Sequence, residues 1–262
     1  MTPTPAPFLR RTLHGDDLAG DPAEEYHEAS RLYPALAQRQ AAGIARLAAS
    51  EGLREISTTP LRVNAHLPSL ALDLPAPEPS SLWEAIDRRS SAAPTAGPAL
   101  RSETLALLLR AAYGTVGSGH RAVPSGGALY PLELFALTRR VEGISSAVWH
   151  LDPLAMRLER IGPPAAFESL VPAPELVEHA AALLFVAATF WRTRFKYGLR
   201  GYRFALLEAG HVAQNVALAA AASGVSALPL GGFYDALVDA ELGLDGVDQS
   251  VLYGIVLGGE AE

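Results

Sequence analysis

The chain has 262 residues, 49% of them hydrophobic and 19% charged, with a formal net charge of −7. That balance suits a globular protein with a substantial core and argues against global disorder, and the acidic excess argues against a nucleic-acid binder working through a general basic field. No cysteine is present, so disulfides, thiolate metal sites and a cysteine nucleophile are excluded.

The N-terminal MTPTPAPFLRRTLHGDD lacks the apolar run of a signal peptide. Of the longest apolar runs, 181–191 is too short to cross a bilayer and 216–230 is interrupted by Gly224 and Pro229. A cytoplasmic protein without membrane contact is expected. Residues 26–40 (YHEASRLYPALAQRQ) are helix-like but broken at Pro34, and 44–53 reads as another helical piece. The proline-dense LPSLALDLPAPEPSS (67–81) suits an extended arm. Residues 1–80 therefore read as a peripheral segment that wraps onto something, ahead of one domain over 81–262.

Ser80 or Ser81 can cap a helix from Leu82, with Glu84 placed for a capping box, and ETLALLLRAAYG (103–114) predicts a second helix stopped by Gly114. The strands LELFALTRRV (132–141), AVWHLDP (147–153) and MRLERIG (156–162) predict an antiparallel meander. A short helix is expected near 175–180, and LLFVAATF (183–190) predicts a central strand. Ala205, Ala209, Val212, Val216 and Ala219–Ala220 recur at helical spacing in the longest helix, 202–223, where the small side chains permit close approach of another helix or subunit. SALPLGGF (226–233) reads as a strand ending in a glycine pair, 235–243 as a small acidic helix, and VLYGIVLG (251–258) as a last buried strand. Helices with an antiparallel sheet give an α+β class.

There is no HExxH, Walker loop or GxSxG elbow, and the seven histidines show no metal spacing, so no metal is expected. Three features can carry chemistry. Arg88-Arg89-Ser90 follows a helix and suits a phosphate clamp, although taken alone the same residues read first as a solvated helix end. Ser125-Gly126-Gly127-Ala128 lies just before a strand; unobstructed N–H groups and a hydroxyl can form an anion-binding concavity. Pro229-Leu230-Gly231-Gly232 lets backbone donors approach a flat ligand. Each glycine pair taken alone reads as a turn.

RRS (88–90), PSGGALYPLELF (124–135), AVWHLDP (147–153), FKYGLRGYRFALLEAGHVAQNVALAAAASGV (195–225) and LPLGGF (228–233), in order over residues 80–258, resemble the nitroreductase superfamily. They are most similar to its SagB type, the FMN-dependent dehydrogenases of thiazoline and oxazoline rings in peptides. Residues 1–80 match only in YHEASRLYP.

The resemblance implies an α+β fold with a largely antiparallel sheet flanked by helices, in a domain-swapped-type homodimer with FMN at the subunit interface. Arg88, Arg89 and Ser90 would hold the phosphate and ribityl end. Ser125, Gly126, Gly127 and Ala128 would contribute to the same cofactor, and Pro229, Leu230, Gly231 and Gly232 would offer backbone donors near flavin N5. Lys196 and Tyr197 match the catalytic pair. A desolvated lysine would have its pKa lowered and act as base, the tyrosine would relay the proton or orient the ring, and the cofactor would take the hydride, with dioxygen as acceptor. A peptide substrate and a cyclase or other biosynthetic partner are implied.

The chain departs from the superfamily at Ala92 and at its acidic end, where basic residues usually meet the phosphate; Arg101, Arg121, Arg200 and Arg203 are the candidate substitutes. An NAD(P)H-dependent nitro or quinone reductase and a flavin-free peptide-binding scaffold are the alternative functions.

Overall fold

The computed structural model describes residues 22–32, 43, 45–59, 66–117 and 119–260. Its helices of seven residues or more, with the strands between them, run α1 (Pro22–Ala29), α2 (Glu51–Thr58), β1 (Ser69–Ala71), α3 (Leu82–Arg88), α4 (Ser102–Tyr113), β2 (Leu132–Thr138), β3 (Ala147–Asp152), β4 (Arg157–Gly162), β5 (Ala182–Thr189), α5 (Trp191–Tyr197), α6 (Arg200–Ala222), β6 (Val225–Leu230), α7 (Asp235–Leu242) and β7 (Gln249–Glu260). The strands form one seven-stranded sheet in the order β1-β4-β3-β2-β5-β7-β6. Every neighbouring pair is antiparallel. The expected meander is β2-β3-β4, and the α+β class holds.

Both faces of the sheet are covered. Alternate side chains of β2 and β5 (Leu134, Ala136, Leu184, Val186) join Leu105, Leu108 and Leu109 of α4 and Ala209, Val212 and Val216 of α6. Their neighbours (Phe135, Leu137, Leu183, Phe185) face the other way and pack with Phe167, Val177, and Val238 and Leu242 of α7. Because both sets are apolar, β2 and β5 are buried along their whole length. α3 begins with the predicted capping box: Ser81 Oγ accepts from Glu84 N–H, and Glu84 accepts from Ser81 N–H.

Four elements differ from expectation. β1 lies inside the proline-dense arm, where Ser69–Ala71 pairs with Arg157–Glu159 at the sheet edge, the position that prolines nearby allow. The segment near 175–180 forms only a 3₁₀ turn over Pro174–Leu176. In the region read as helix-like over 26–40, α1 ends at Ala29, and 33–40 lies outside the described residues. Phe195-Lys196-Tyr197 ends α5, a helix that the sequence pattern did not announce, and Gly198 at φ 59 turns the chain into α6.

Candidate active site

α5 leaves the end of β5, so its position is set by the central strand. Arg192 and Lys196 stand one turn apart on the same face. That face meets the loop before β2. A Cβ built at Gly127 would lie 2.5 Å from Tyr197 Oη and 2.6 Å from Lys196 Nζ, and one at Gly126 would lie 2.9 Å from the Phe204 ring. The Tyr197 ring meets Phe204 edge-on at 4.9 Å between centroids, and Lys196 Nζ lies 5.0 Å from the Tyr197 ring centre. Gly127 is thus bare where Lys196 and Tyr197 take the space above it, and Gly126 where Phe204 does.

The loop has an unusual backbone. Gly127, Ala128 and Tyr130 have φ of 70°, 54° and 47°. Glycine adopts this region freely, whereas alanine and tyrosine do so only when their surroundings compel them. Tyr130 is compelled from three sides. Its N–H donates to Ser125 Oγ at 2.9 Å, its carbonyl accepts from Arg192 Nη1 at 3.0 Å, and its Oη accepts from Arg121 N–H at 3.3 Å.

A buried polar group lies under the loop. Tyr113 Oη donates to Glu208 Oε1 at 2.6 Å and accepts from Leu132 N–H at 3.2 Å, while the Arg121 guanidinium stacks on Tyr113 and Tyr130 at 4.3 and 4.9 Å. Burial pushes Glu208 up to about 7, against the opposing pull of Ser125, Tyr113 and Arg121. Burial and the adjacent Glu208 carboxyl push Tyr113 well above its ordinary range. Deeper in the sheet, His150 of the AVWHLDP motif is wholly buried between two carboxylates, with Nε2 at 2.9 Å from Glu133 and Nδ1 at 3.3 Å from Glu159. Among the described residues no group of three or more His, Asp or Glu side chains is arranged to hold a metal ion.

The other predicted residues are spread out. β2 starts, β5 ends and β7 starts at one end of the sheet, beside Ser125–Ala128 and Lys196, whereas β6 runs towards that end and stops short of it, its last residue Leu230 facing Gly254 in mid-strand. Three strand spacings, about 14 Å, separate β2 from β6. Gly231 and Gly232 are exposed and no atom lies within 4 Å of a Cβ built at Gly231, so their backbone faces open space. Arg88 and Ser90 are exposed, and Arg89 donates to Ser91 Oγ at 3.1 Å. No hydrogen bond joins Arg88, Arg89 or Ser90 to either glycine loop among the described residues. Guanidinium groups at one place and a bare backbone at another are the donor types that the phosphate and ring ends of a flavin nucleotide would need.

Among the candidate substitutes for the missing phosphate contacts, Arg121 is buried between its two tyrosines. Arg200 and Arg203 donate to Ser30, and Arg203 also to the His27 carbonyl. These three serve the fold of this chain.

Residues 86–259 match the model of the nitroreductase family. The chain belongs to that family. A protein of Methanocaldococcus jannaschii described as a nitroreductase is 34% identical over 173 residues, 64% of this chain and 86% of that one. The microcin B17-processing protein McbC of Escherichia coli is 35% identical over 138 residues, and the trifolitoxin-processing protein TfxB of Rhizobium leguminosarum 28% over 153. The matched stretches span 50% of McbC and 41% of TfxB, and 49% and 55% of this chain.

Among solved nitroreductase folds, a protein of Anabaena variabilis superposes with a TM-score of 0.65 at 25% identity, covering 75% of this chain and 42% of that one. A chain of the E. coli microcin synthetase McbBCD complex, with truncated pro-MccB17 bound, superposes with a TM-score of 0.56 at 25% identity over 93% of this chain and 95% of that chain. The protein is an oxidoreductase of this family, and none of its described helices is long and apolar enough to cross a membrane.

Arg192, Tyr113, Tyr130 and Glu208 escaped the sequence reading. Arg192 had one signal, its position a helical turn before Lys196. Glu208 and Tyr113 had none, because a glutamate in an alanine-rich helix and a tyrosine in a leucine-rich one read as surface and core.

Proposed function

We propose that this protein is an FMN-dependent dehydrogenase that oxidises azoline rings in a peptide to azoles, with dioxygen as final acceptor. The observation that carries the reading is the convergence of Lys196 Nζ and Tyr197 Oη over Gly127. The names of McbC and TfxB as peptide-processing proteins, and the bound pro-peptide in the McbBCD complex, support a peptide substrate and biosynthetic partners.

Aromatisation removes a proton from one ring carbon and a hydride from its neighbour. FMN, when bound, supplies the hydride acceptor, since no side chain does this. Arg88, Arg89 and Ser90 would hold its phosphate end, Pro229–Gly232 would present backbone donors to its ring, and Ser125–Ala128 would contribute to the same site. Lys196 Nζ takes the ring proton, and the Tyr197 hydroxyl beside it orients the ring and passes the proton on. The Phe204 ring against Tyr197 keeps water from one side of the pair. The reading includes a homodimer in the cytoplasm, working with a cyclase or similar partner.

The test is to purify the full chain, measure FMN released on denaturation, and follow loss of two hydrogens from an azoline peptide by mass spectrometry. Stoichiometric FMN with turnover that Lys196→Ala abolishes is expected. Equal turnover by Lys196→Ala and wild type removes the assigned base. Rapid anaerobic bleaching of the flavin by NAD(P)H without azoline turnover indicates the nitro or quinone reductase, and a colourless protein indicates the scaffold.

A further inference from the structure

Lys196 and Tyr197 end a seven-residue helix followed at once by a glycine, an arrangement that leaves two long side chains little local support. The support comes from the residue one turn earlier. Arg192 is 1% exposed, the largest fully buried side chain of the described residues. Its Nη1 donates to the Tyr130 carbonyl at 3.0 Å and its Nη2 donates to the Thr59 carbonyl. Burial lowers its pKa while the Glu133 carboxylate on β2 favours its charge. The fork therefore ties α5 to two separate pieces of chain, the strained loop and the segment after α2.

Further contacts show the same convergence. A Cβ at Gly43 would lie 2.7 Å from the Lys196 carbonyl oxygen and 2.8 Å from that of Phe195, so the N-terminal segment lies against the backbone of the pair itself. Tyr26 Oη donates to the Leu199 carbonyl at 3.3 Å, and Arg203 Nε donates to Ser30 Oγ at 2.8 Å. Tyr26, Ser30, Gly43 and Thr59 of the N-terminal segment thus all contact residues between 192 and 203.

Resting on the dehydrogenase reading, we propose that Arg192 is the positioning residue of the Lys196-Tyr197 pair, clamping its helix between the left-handed Gly127–Tyr130 loop and the N-terminal segment. A planar fork satisfies two carbonyls on different segments at once, whereas one ammonium on a flexible stem reaches one of them. The clamp also explains the Tyr130 backbone: Ser125 holds its N–H, Arg192 holds its carbonyl, and φ 47 is the outcome.

The test uses the full chain with Arg192→Lys and Arg192→Met, read by hydrogen exchange with mass spectrometry and by steady-state kinetics on an azoline peptide. In both variants, peptides covering 125–131 and 191–197 exchange faster, while peptides from β5 and β7 exchange as in wild type. The kcat falls about 100-fold with KM for the peptide changed less than about two-fold, as expected when a reacting group is misplaced by about an ångström. Arg192→Lys keeps the charge beside Glu133, so it carries the test if Arg192→Met does not fold. Wild-type exchange in the two segments, or an equal rise across the whole sheet, overturns the proposal. If wild type itself fails to oxidise the peptide, the dehydrogenase reading falls, and the exchange result still decides the role of Arg192.

Discussion

Gly127 lies directly beneath Tyr197, so close that a Cβ on the glycine would stand 2.5 Å from the phenol oxygen. Gly127→Ala therefore meets two penalties: a left-handed φ of 70° and displacement of Tyr197 and Lys196. Gly143 separates them, because it shares φ 70° but has only Ser102 Oγ, at 3.9 Å, near its Cβ position. Both substitutions are expected to destabilise by about 1–2 kcal/mol. Only Gly127→Ala is expected to lower kcat, by about ten- to a hundred-fold. Denaturant unfolding and turnover measured side by side check this, and equal kcat for the two variants refutes the contact.

Glu208 makes stability depend on pH. Its carboxyl is raised from 4.5 to about 7 in the folded chain, so the native state holds a proton that the unfolded state releases. Stability is full below about pH 4.5, declines as pH rises, and has lost the whole contribution once pH exceeds about 7, a total of about 3 kcal/mol. Glu208→Gln keeps an acceptor for Tyr113 and cannot ionise. It is expected to flatten the decline and to exceed wild type in stability above neutral pH. Urea unfolding across that range decides; parallel wild-type and variant curves would show that Glu208 is not the titrating group.

The fold was legible where a single periodicity governed an element. The unbroken apolar runs of β2 and β5 match burial on both faces, and the alanine spacing of α6 matches one packed face, so pattern led to structure. β1 was hidden because three residues among prolines carry no alternation, and its pairing comes from β4. The candidate site was legible as residue types without their neighbours. The bareness of Ser125–Ala128 was visible, and its reason, packing by Lys196, Tyr197 and Phe204, required a contact over about seventy residues of chain. Arg192 and Glu208 were hidden for the same reason, since nothing local distinguishes a buried charge from a solvated one.

The proposed homodimer is testable from the surface of α3 and α6. Leu82, Trp83 and Leu207 are 62%, 73% and 62% exposed, on two helices that pack against each other. Side chains of this size left open together suit an interface. Leu207→Glu places a charge there and is expected to convert a dimer to a monomer at micromolar concentration, with flavin content falling in parallel. Light scattering after size exclusion measures the first and absorbance the second. An unchanged mass for Leu207→Glu excludes this face as the interface.

The elbow between α5 and α6 yields a prediction of sign. Gly201 is the second residue of α6, and a Cβ there would lie 2.7 Å from the Thr193 carbonyl carbon and 2.8 Å from both Arg194 N and Thr193 O. All three are backbone atoms, so no side-chain rotation relieves the clash and α5 must move away. Gly52 is the second residue of α2 and has nothing within 4 Å. Helix propensity alone favours alanine over glycine by about 0.5–1 kcal/mol at either position. Gly52→Ala should show that gain. In Gly201→Ala the overpacking, about 1–3 kcal/mol, outweighs it and reverses the sign. Because α5 carries Lys196 and Tyr197, Gly201→Ala should also lower turnover while Gly52→Ala leaves it unchanged. Denaturant midpoints give the sign, and a Gly201→Ala chain as stable and as active as Gly52→Ala would mean that the two helices are not in backbone contact.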